Sequence, residues 1–345
     1  MATLRDVARR AGTSVSAVSA VLNTNGRHNI RVSQETRQRI CAVAAELGYT
    51  ANPIAQSLVT RKTGVLGLVF PYSSAFTDRN PFCTQVMSGV FEEVVRERYN
   101  LMLHTAIGDD WNAADENALL DPRVDGLILV LPNPHSPVVE RCLRQEFPCV
   151  TVVYQPPSEA VCAVNADDFT GGKMATEHLL SLGHRRIAHL VGNPEIATTA
   201  GRRQGYLAAL EEAGLAPDPA LLVPAGFDWR NGYEAAARLL ELPASQRPTA
   251  LFAANDLCAD GALRALREHG LRVPDDMALV GYDDTWFATM THPALTSVYM
   301  PIYEMGMLAA KMLIALVEGR EVPERQPVLP VHLSVRESSG APQSR

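Results

Sequence analysis

The sequence predicts a small all-α helix-turn-helix head joined to an α/β body of two doubly wound parallel-sheet lobes. Residues 1–48 carry helical spacing and no strand-like run, a short polar tether follows, and beyond Gly64 apolar runs alternate with amphipathic stretches in two successive series. The expected boundaries are a head over 1–48, a linker over 49–63 and a two-lobed body over 64–345.

In the head, Leu4, Val7, Ala8 and Ala11 recur at i, i+3, i+4 and i+7, which builds one apolar face on a 3.6-period helix. Thr3 can cap it, with Asp6 in the capping-box position. Gly12 permits the turn, and Ser14 is placed to cap a second helix. There Val18, Val21 and Leu22 can face inward, which leaves Val15, Ser16, Ala17 and Ala20 outward. An outward face of small and hydroxyl side chains, where Lys and Glu are usual, suits close approach to the floor of a DNA groove, so the second helix is the expected reader. A cluster that only packs on itself would show the same helix pair. After a polar loop with Gly26, Arg27, His28 and Arg31, a third helix starts at Ser33, carries Thr36, Ile40, Val43, Ala44 and Leu47 on one side, and closes at Gly48. The tether YTANPIAQSLVTRKT has room for one or two helical turns over 54–59, too few to hold alone in water, so it should fold when something packs against it.

In the body, GVLGLVF (64–70), LMLHTA (101–106), GLILVL (126–131) and CVTVVY (149–154) read as buried strands, with helices near 82–98, 112–121 and 136–145. A second series has strands near 187–191, 221–224, 249–253 and 278–281, with helices near 170–182, 201–213, 230–241 and 256–268. Ligands of such folds gather at the carboxyl ends of the strands, here in a cleft between the lobes. A last helix near 301–318 and a strand near 328–335 must return to one lobe or the other, and chain order does not say which.

Composition narrows the function classes. The net charge of −7 is uneven: residues 1–62 hold nine Lys/Arg against three Asp/Glu, a balance of +6, leaving −13 for the rest. A basic head on an acidic body fits a head that meets phosphates and a body that does not. No stretch approaches the ~20 apolar residues of a membrane span, and the N-terminus lacks a signal-peptide apolar core. Six scattered Cys read as reduced thiols of a cytoplasmic protein, the dispersed His suggest no metal site, and His178 and His184 read as structural. The run EEVVRER reads as a solvated helix face. No phosphate loop, nucleophile elbow or zinc-protease motif occurs, so neither a catalytic set nor a cofactor is expected.

The phrases TLRDVARRAGTSVSAVSAVLN, SQETRQRICAVAAELGYTANPIAQSL, ATEHLLSLGHRRIA, RRQGYLAALEEAGL, RPTALFAANDLCADGALRALREHGLRVPDDMALVGYDD and HPALTSV occur in this order. Through them the chain resembles, over nearly its whole length, the lactose-repressor/galactose-repressor family of bacterial transcription regulators. The resemblance implies lobes of the periplasmic-binding-protein-like type and a cytoplasmic homodimer reading two half-sites of an operator. It implies a repressor whose DNA affinity is set by a small molecule in the cleft, a sugar or sugar derivative, with no membrane partner. It further implies base reading by Val15, Ser16 and Ala20, with Ala17 on the same expected face, and phosphate contacts from Thr3, Ser14, Ser19, Asn23 and Tyr49. Ala20 departs from the Arg or His common there, which removes a bidentate guanine contact. Ala55 and Leu58 fall on the linker contacts, Leu58 matching the leucine wedged into the minor groove. A linker residue packing on the body is the plainer reading of Leu58.

For the cleft, the resemblance places Arg202 and Asp256 on sugar hydroxyls, Phe82 and Phe227 against the effector, and Thr198, Asn255 and Asp283 nearby. Trp111, Trp229 and Trp286 add aromatic surface, and Ile196 stands where purine-binding relatives carry an arginine. Asp256 could instead cap the helix it opens, Arg202 could be a solvated helix-end charge, and Phe82 could be core. The rival reading is a two-lobed solute-binding protein or sugar-processing enzyme.

Overall fold

The computed structural model describes residues 2–22, 32–50, 62–70, 80–104, 120–132 and 137–340. The chain divides into two compact units, Met1–Val65 with Arg123–Asp125, and Leu66–Pro122 with Gly126–Arg345.

The first unit opens with α1 (Leu4–Ala11), α2 (Val15–Leu22) and α3 (Gln34–Glu46). Thr3 and Asp6 close a capping box: the Asp6 amide donates to Thr3 Oγ1 at 3.3 Å, and the Thr3 amide donates to Asp6 Oδ2 at 3.0 Å. Gly12 ends α1 at φ 61°, a left-handed conformation that costs glycine little. Ser14 Oγ then accepts the Ala17 amide at 3.1 Å. Val7, Ala8, Ala11, Val18, Val21, Ile40 and Ala44 form the core, and Arg39 Nε donates to the Ala11 carbonyl at 2.9 Å, tying α3 to the end of α1. Ala17 corrects the sequence expectation, for it is 9% exposed and faces inward. The spacing explains it: Ala17 stands four residues before Val21, about 40° away on the helical wheel. Asp125 collects the Thr63 amide and hydroxyl and the Gly64 amide at 2.7, 2.9 and 2.8 Å, which fixes the start of the body.

The second unit contains both lobes. Its elements are β1 (Val65–Val69), α4 (Pro81–Arg96), β2 (Asn100–His104), β3 (Leu127–Val130), α5 (Val138–Arg144), β4 (Cys149–Val152), β5 (Cys162–Ala166), α6 (Asp168–Ser181), β6 (Ile187–Val191), α7 (Ala197–Glu212), β7 (Leu222–Pro224), α8 (Trp229–Leu240), β8 (Ala250–Ala253), α9 (Asp256–Glu268), β9 (Ala278–Asp283), β10 (Thr296–Tyr299), α10 (Ile302–Val317), β11 (Val328–Leu329) and β12 (His332–Ser334). One sheet runs β11-β5-β4-β3-β1-β2 and the other β12-β10-β9-β8-β6-β7. The pairings β1–β3, β3–β4, β4–β5, β6–β8 and β8–β9 are parallel, whereas β12 is antiparallel to β10. Leu66, Leu68, Leu127, Ile128 and Leu129 are fully buried, as strands covered on both faces require.

Two strands were not expected from the sequence, β5 and β10. Both carry polar residues with internal partners: the Asn165 side chain accepts the Tyr154 amide and donates to its carbonyl, while Ser297 Oγ donates to Asp256 at 2.6 Å. Hydrophobic periodicity does not see strands of this kind. The expected strand over 328–335 is two short strands in different sheets, so the chain passes between lobes at 166–168, 299–302 and 329–332. Helix α10 packs on α4, β4 and β5, which places it with the first lobe.

Three helix pairs cover the sheets, each joined at a glycine pair: Gly89 and Gly306 between α4 and α10, Gly172 and Gly205 between α6 and α7, Gly232 and Gly261 between α8 and α9. At each position a Cβ would overlap backbone atoms of the facing helix. The expected helix near 112–121 and the helical turns over 54–59 lie, wholly or in all but their last residues, outside the described residues. Among the described residues no helix is long and apolar enough to cross a membrane.

Candidate functional site

On the head, Val15 is 42% exposed beside exposed Ser16, while Ser19 and Ala20 are half-buried. Thr3 and Ser14 are exposed, but their hydroxyls already accept the amides that start α1 and α2. Tyr49 is half-buried against the head core. The face of α2 around Val15 and Ser16 therefore offers methyls and a hydroxyl with no long side chain to hold a groove away. Asn23, Ala55 and Leu58 lie outside the described residues, as does Trp111.

In the body, a cavity partly open to solvent is lined by Asn80, Phe82, Cys83, Leu131, Val153, Ile196, Thr198, Arg202, Phe227, Asn255 and Asp283. These residues follow the carboxyl ends of β1, β3 and β4 in one lobe and of β6, β7, β8 and β9 in the other. That is where parallel sheets present ligands, because the connections diverge there. Six of the seven expected cleft residues meet in it: Phe82, Thr198, Arg202, Phe227, Asn255 and Asp283.

Asp256 is the exception and corrects the expectation. Its Oδ1 accepts the Ser297 hydroxyl at 2.6 Å, and its Oδ2 accepts the Thr285 amide at 2.9 Å and hydroxyl at 3.2 Å. Both oxygens are thus spent inside the lobe, and Asp256 does not line the cavity. Nor does it cap α9, since Asn255 Oδ1 accepts the Cys258 amide at 2.9 Å. Burial, reinforced by the charge of Asp283, holds the Asp256 carboxyl well above the usual carboxylate range.

Arg202 is buried and heavily engaged. Its Nε donates to Asp168 Oδ1 at 2.9 Å, Nη1 donates to the Ala254 carbonyl, and Nη2 lies 3.5 Å from Asp283 Oδ1 and 3.6 Å from the Met300 sulfur. The guanidinium carbon stands 3.5 Å from the centroid of the Tyr282 ring. Burial raises Asp168 despite Arg202, and burial raises Asp283 to about 7 against the opposing pull of Arg202. Asp168 and Met300 sit at two of the three interlobe passages, so this one side chain touches both passages and the cavity.

Three lining residues hold positive φ without being glycine: Leu131 at 51°, Val153 at 57° and Asp283 at 99°. A β-branched residue rarely adopts this region, and each such residue stores on the order of 1–3 kcal/mol of strain. The ladder holds two of them, with the Leu131 amide donating to Val152 and the Val153 amide to Val164. The left-handed step turns each chain out of its strand at the cleft, the kind of outlier that accompanies ligand sites.

Sequence reasoning missed Asn80, Cys83, Leu131 and Val153. Their signal was position alone, just beyond the carboxyl ends of β1, β3 and β4. Trp229 and Trp286 are exposed and do not line the cavity.

Residues 3–52 match the family described as bacterial regulatory proteins, lacI family, and residues 176–339 match a periplasmic binding protein-like domain. The chain is 33% identical over 344 residues to the HTH-type transcriptional regulator DegA of Bacillus subtilis (strain 168), covering 98% of each. It is 34% identical over 341 residues to the ribose operon repressor of Haemophilus influenzae (strain ATCC 51907 / DSM 11121 / KW20 / Rd), again 98% of each. Among solved structures it is similar to the lac repressor dimer bound to operator and the anti-inducer ONPF, with TM-score 0.82, 27% identity and 99% of both chains covered. It is also similar to the transcriptional regulator CelR–cellobiose complex, with TM-score 0.74, 32% identity and 98% and 100% covered.

Proposed function

This chain belongs to the lacI family of bacterial regulatory proteins, and from that premise we propose that it is an operator-binding transcriptional repressor controlled by a small sugar or sugar derivative. It works in the cytoplasm as a homodimer, each head reading one half-site through Val15, Ser16 and Ala20, with Thr3, Ser14, Ser19, Asn23 and Tyr49 on phosphates. Ala55 and Leu58 carry the linker contacts, Leu58 as a minor-groove wedge. The effector occupies the cavity against Arg202, Asp283, Thr198, Asn255, Phe82 and Phe227.

The observation that carries this reading is the convergence of Arg202 and Asp283 on one interlobe cavity, in a chain whose Arg202 also touches two interlobe passages. A ligand that bonds across the cavity favours one lobe angle, and a dimer converts that angle into the spacing of its two linkers. The sign of the response follows from which lobe angle the ligand prefers.

The test is fluorescence anisotropy of the purified chain with duplexes from the DNA upstream of its own gene, across ionic strengths, with and without sugars. A palindromic site bound at least a hundredfold tighter than random duplex, with affinity shifted by a sugar, supports the reading. Equal affinity for all duplexes at every salt concentration refutes it.

A further inference from the structure

The two lobes offer a ligand unlike surfaces. The first lobe contributes Phe82, Cys83, Leu131 and Val153, with Asn80 as its one polar group among the described lining residues. Asn80 Oδ1 is occupied by the Phe82 amide at 3.0 Å, so its amide nitrogen is what remains. The second lobe contributes Thr198, Arg202, Asn255 and Asp283, with Ile196 and Phe227 beside them. The Phe227 ring rests on Gly192, where a Cβ would overlap it, so the ring is seated rather than free to turn away.

The charge is as lopsided as the polarity. Arg202 is the one cation among the described lining residues, and Asp168 and Asp283 both lie against it. Above pH 7, with Asp283 ionised, a buried guanidinium shared by these carboxyls has little surplus positive charge to give an anion. A phosphate or carboxylate brought into the cavity would meet Asp283, and among the described lining residues no second cation is there to receive it. Ile196, half-buried in the lining, adds apolar surface and no positive charge.

We propose that the effector is an uncharged polyol with one hydroxyl-bearing edge and one deoxygenated edge, of the 6-deoxyhexose class. The hydroxyl edge faces Asp283, Thr198 and Asn255, and the deoxygenated edge faces Phe82, Leu131 and Val153, with Ile196 and the Asp168–Arg202–Asp283 triad turning away anionic sugars. This rests on the cavity being the effector site of a regulator. A hydroxymethyl group against Phe82, Leu131 and Val153 would lose its water without gaining a partner from those three side chains, whereas a methyl group gains contact there.

The test is calorimetric titration of the full chain at pH 8, where Asp283 is ionised, with D-fucose, L-fucose, L-rhamnose and 6-deoxy-D-glucose. Each is paired with its 6-hydroxy parent and, in the D-galactose and D-glucose series, with the 6-phosphate and the uronic acid. At least one 6-deoxyhexose should bind tenfold or more tighter than its parent, with no measurable binding of the anions. Leu131→Gln should narrow the preference for the 6-deoxy sugar, and Ile196→Arg should admit the matching uronate, with operator affinity of the free protein kept in both as the check on folding. A parent hexose or an anion binding as tightly as the 6-deoxy sugar overturns the proposal. So does the failure of every 6-deoxyhexose to bind at 10 mM, roughly the upper end of useful affinities. If operator binding is retained in that case, the regulator reading stands without this effector class; if no duplex is preferred, that reading fails too.

Discussion

Replacing Arg202 with Met keeps most of the side-chain volume and removes the charge between Asp168 and Asp283. The Arg202 side chain is 4% exposed, Asp168 13% and Asp283 7%, so solvent replaces little of what is lost. Breaking a buried pair by deleting one partner costs about 3–5 kcal/mol, and the stack on Tyr282 belongs to the same loss. The pH dependence has a definite sign. Asp283 already stands at about 7, above the ~3.9 of an unfolded aspartate, so its burial weakens the fold as pH rises through that interval. Without Arg202 the one influence that lowers both carboxyls is gone, both rise further, and the deficit relative to the parent protein grows between pH 5 and pH 8. Urea denaturation followed by tryptophan emission reads this directly, because Trp229 and Trp286 both belong to the lobe that contains Arg202. Adding Asp283→Asn should recover part of the loss at pH 8, as expected for residues in one network. A deficit below about 1 kcal/mol at pH 8, or one equal at pH 5 and pH 8, would show that the triad does not hold the lobe as described.

Gly261→Ala should cost about 1–3 kcal/mol and lower the melting temperature by several degrees, since its Cβ overlaps the Trp229 carbonyl; a neutral result in a thermal scan would contradict the α8–α9 contact. Ser33→Ala removes the cap on the Thr36 amide and should cost the head about 1 kcal/mol, visible by circular dichroism of the head's melting and absent if α3 starts elsewhere. Effector affinity should rise roughly tenfold from pH 6 to pH 8 as Asp283 ionises through about 7, and Asp283→Asn should flatten the calorimetric profile. Ala20→Arg should shift half-site selection towards guanine by about 1–3 kcal/mol at one position, and an unchanged selection profile would remove Ala20 from the reading face.

The local order of this protein is written in its residues. Thr3, Asp6, Gly12 and Ser14 announce two capped helices because caps and turns need only neighbours three or four residues away, and the buried strands β3 and β4 show as unbroken apolar runs for the same local reason. The same spacing already told against an outward Ala17, since Val21 four residues on is core. Arg202, Asp283, Phe82 and Phe227 were identifiable as cleft residues, yet only the tertiary structure separated Asp283, which faces the cavity, from Asp256, whose oxygens are taken by Thr285 and Ser297. Strands β5 and β10 escaped for the same reason, because an Asn, Ser or Thr within a strand looks like loop until its partner on a distant segment is known. The division of 328–335 between two sheets likewise depends on which strand edges remain open once everything else has paired. Contacts between neighbours in sequence are encoded by periodicity; contacts between remote segments are encoded by complementarity, and complementarity exists only after the chain has folded.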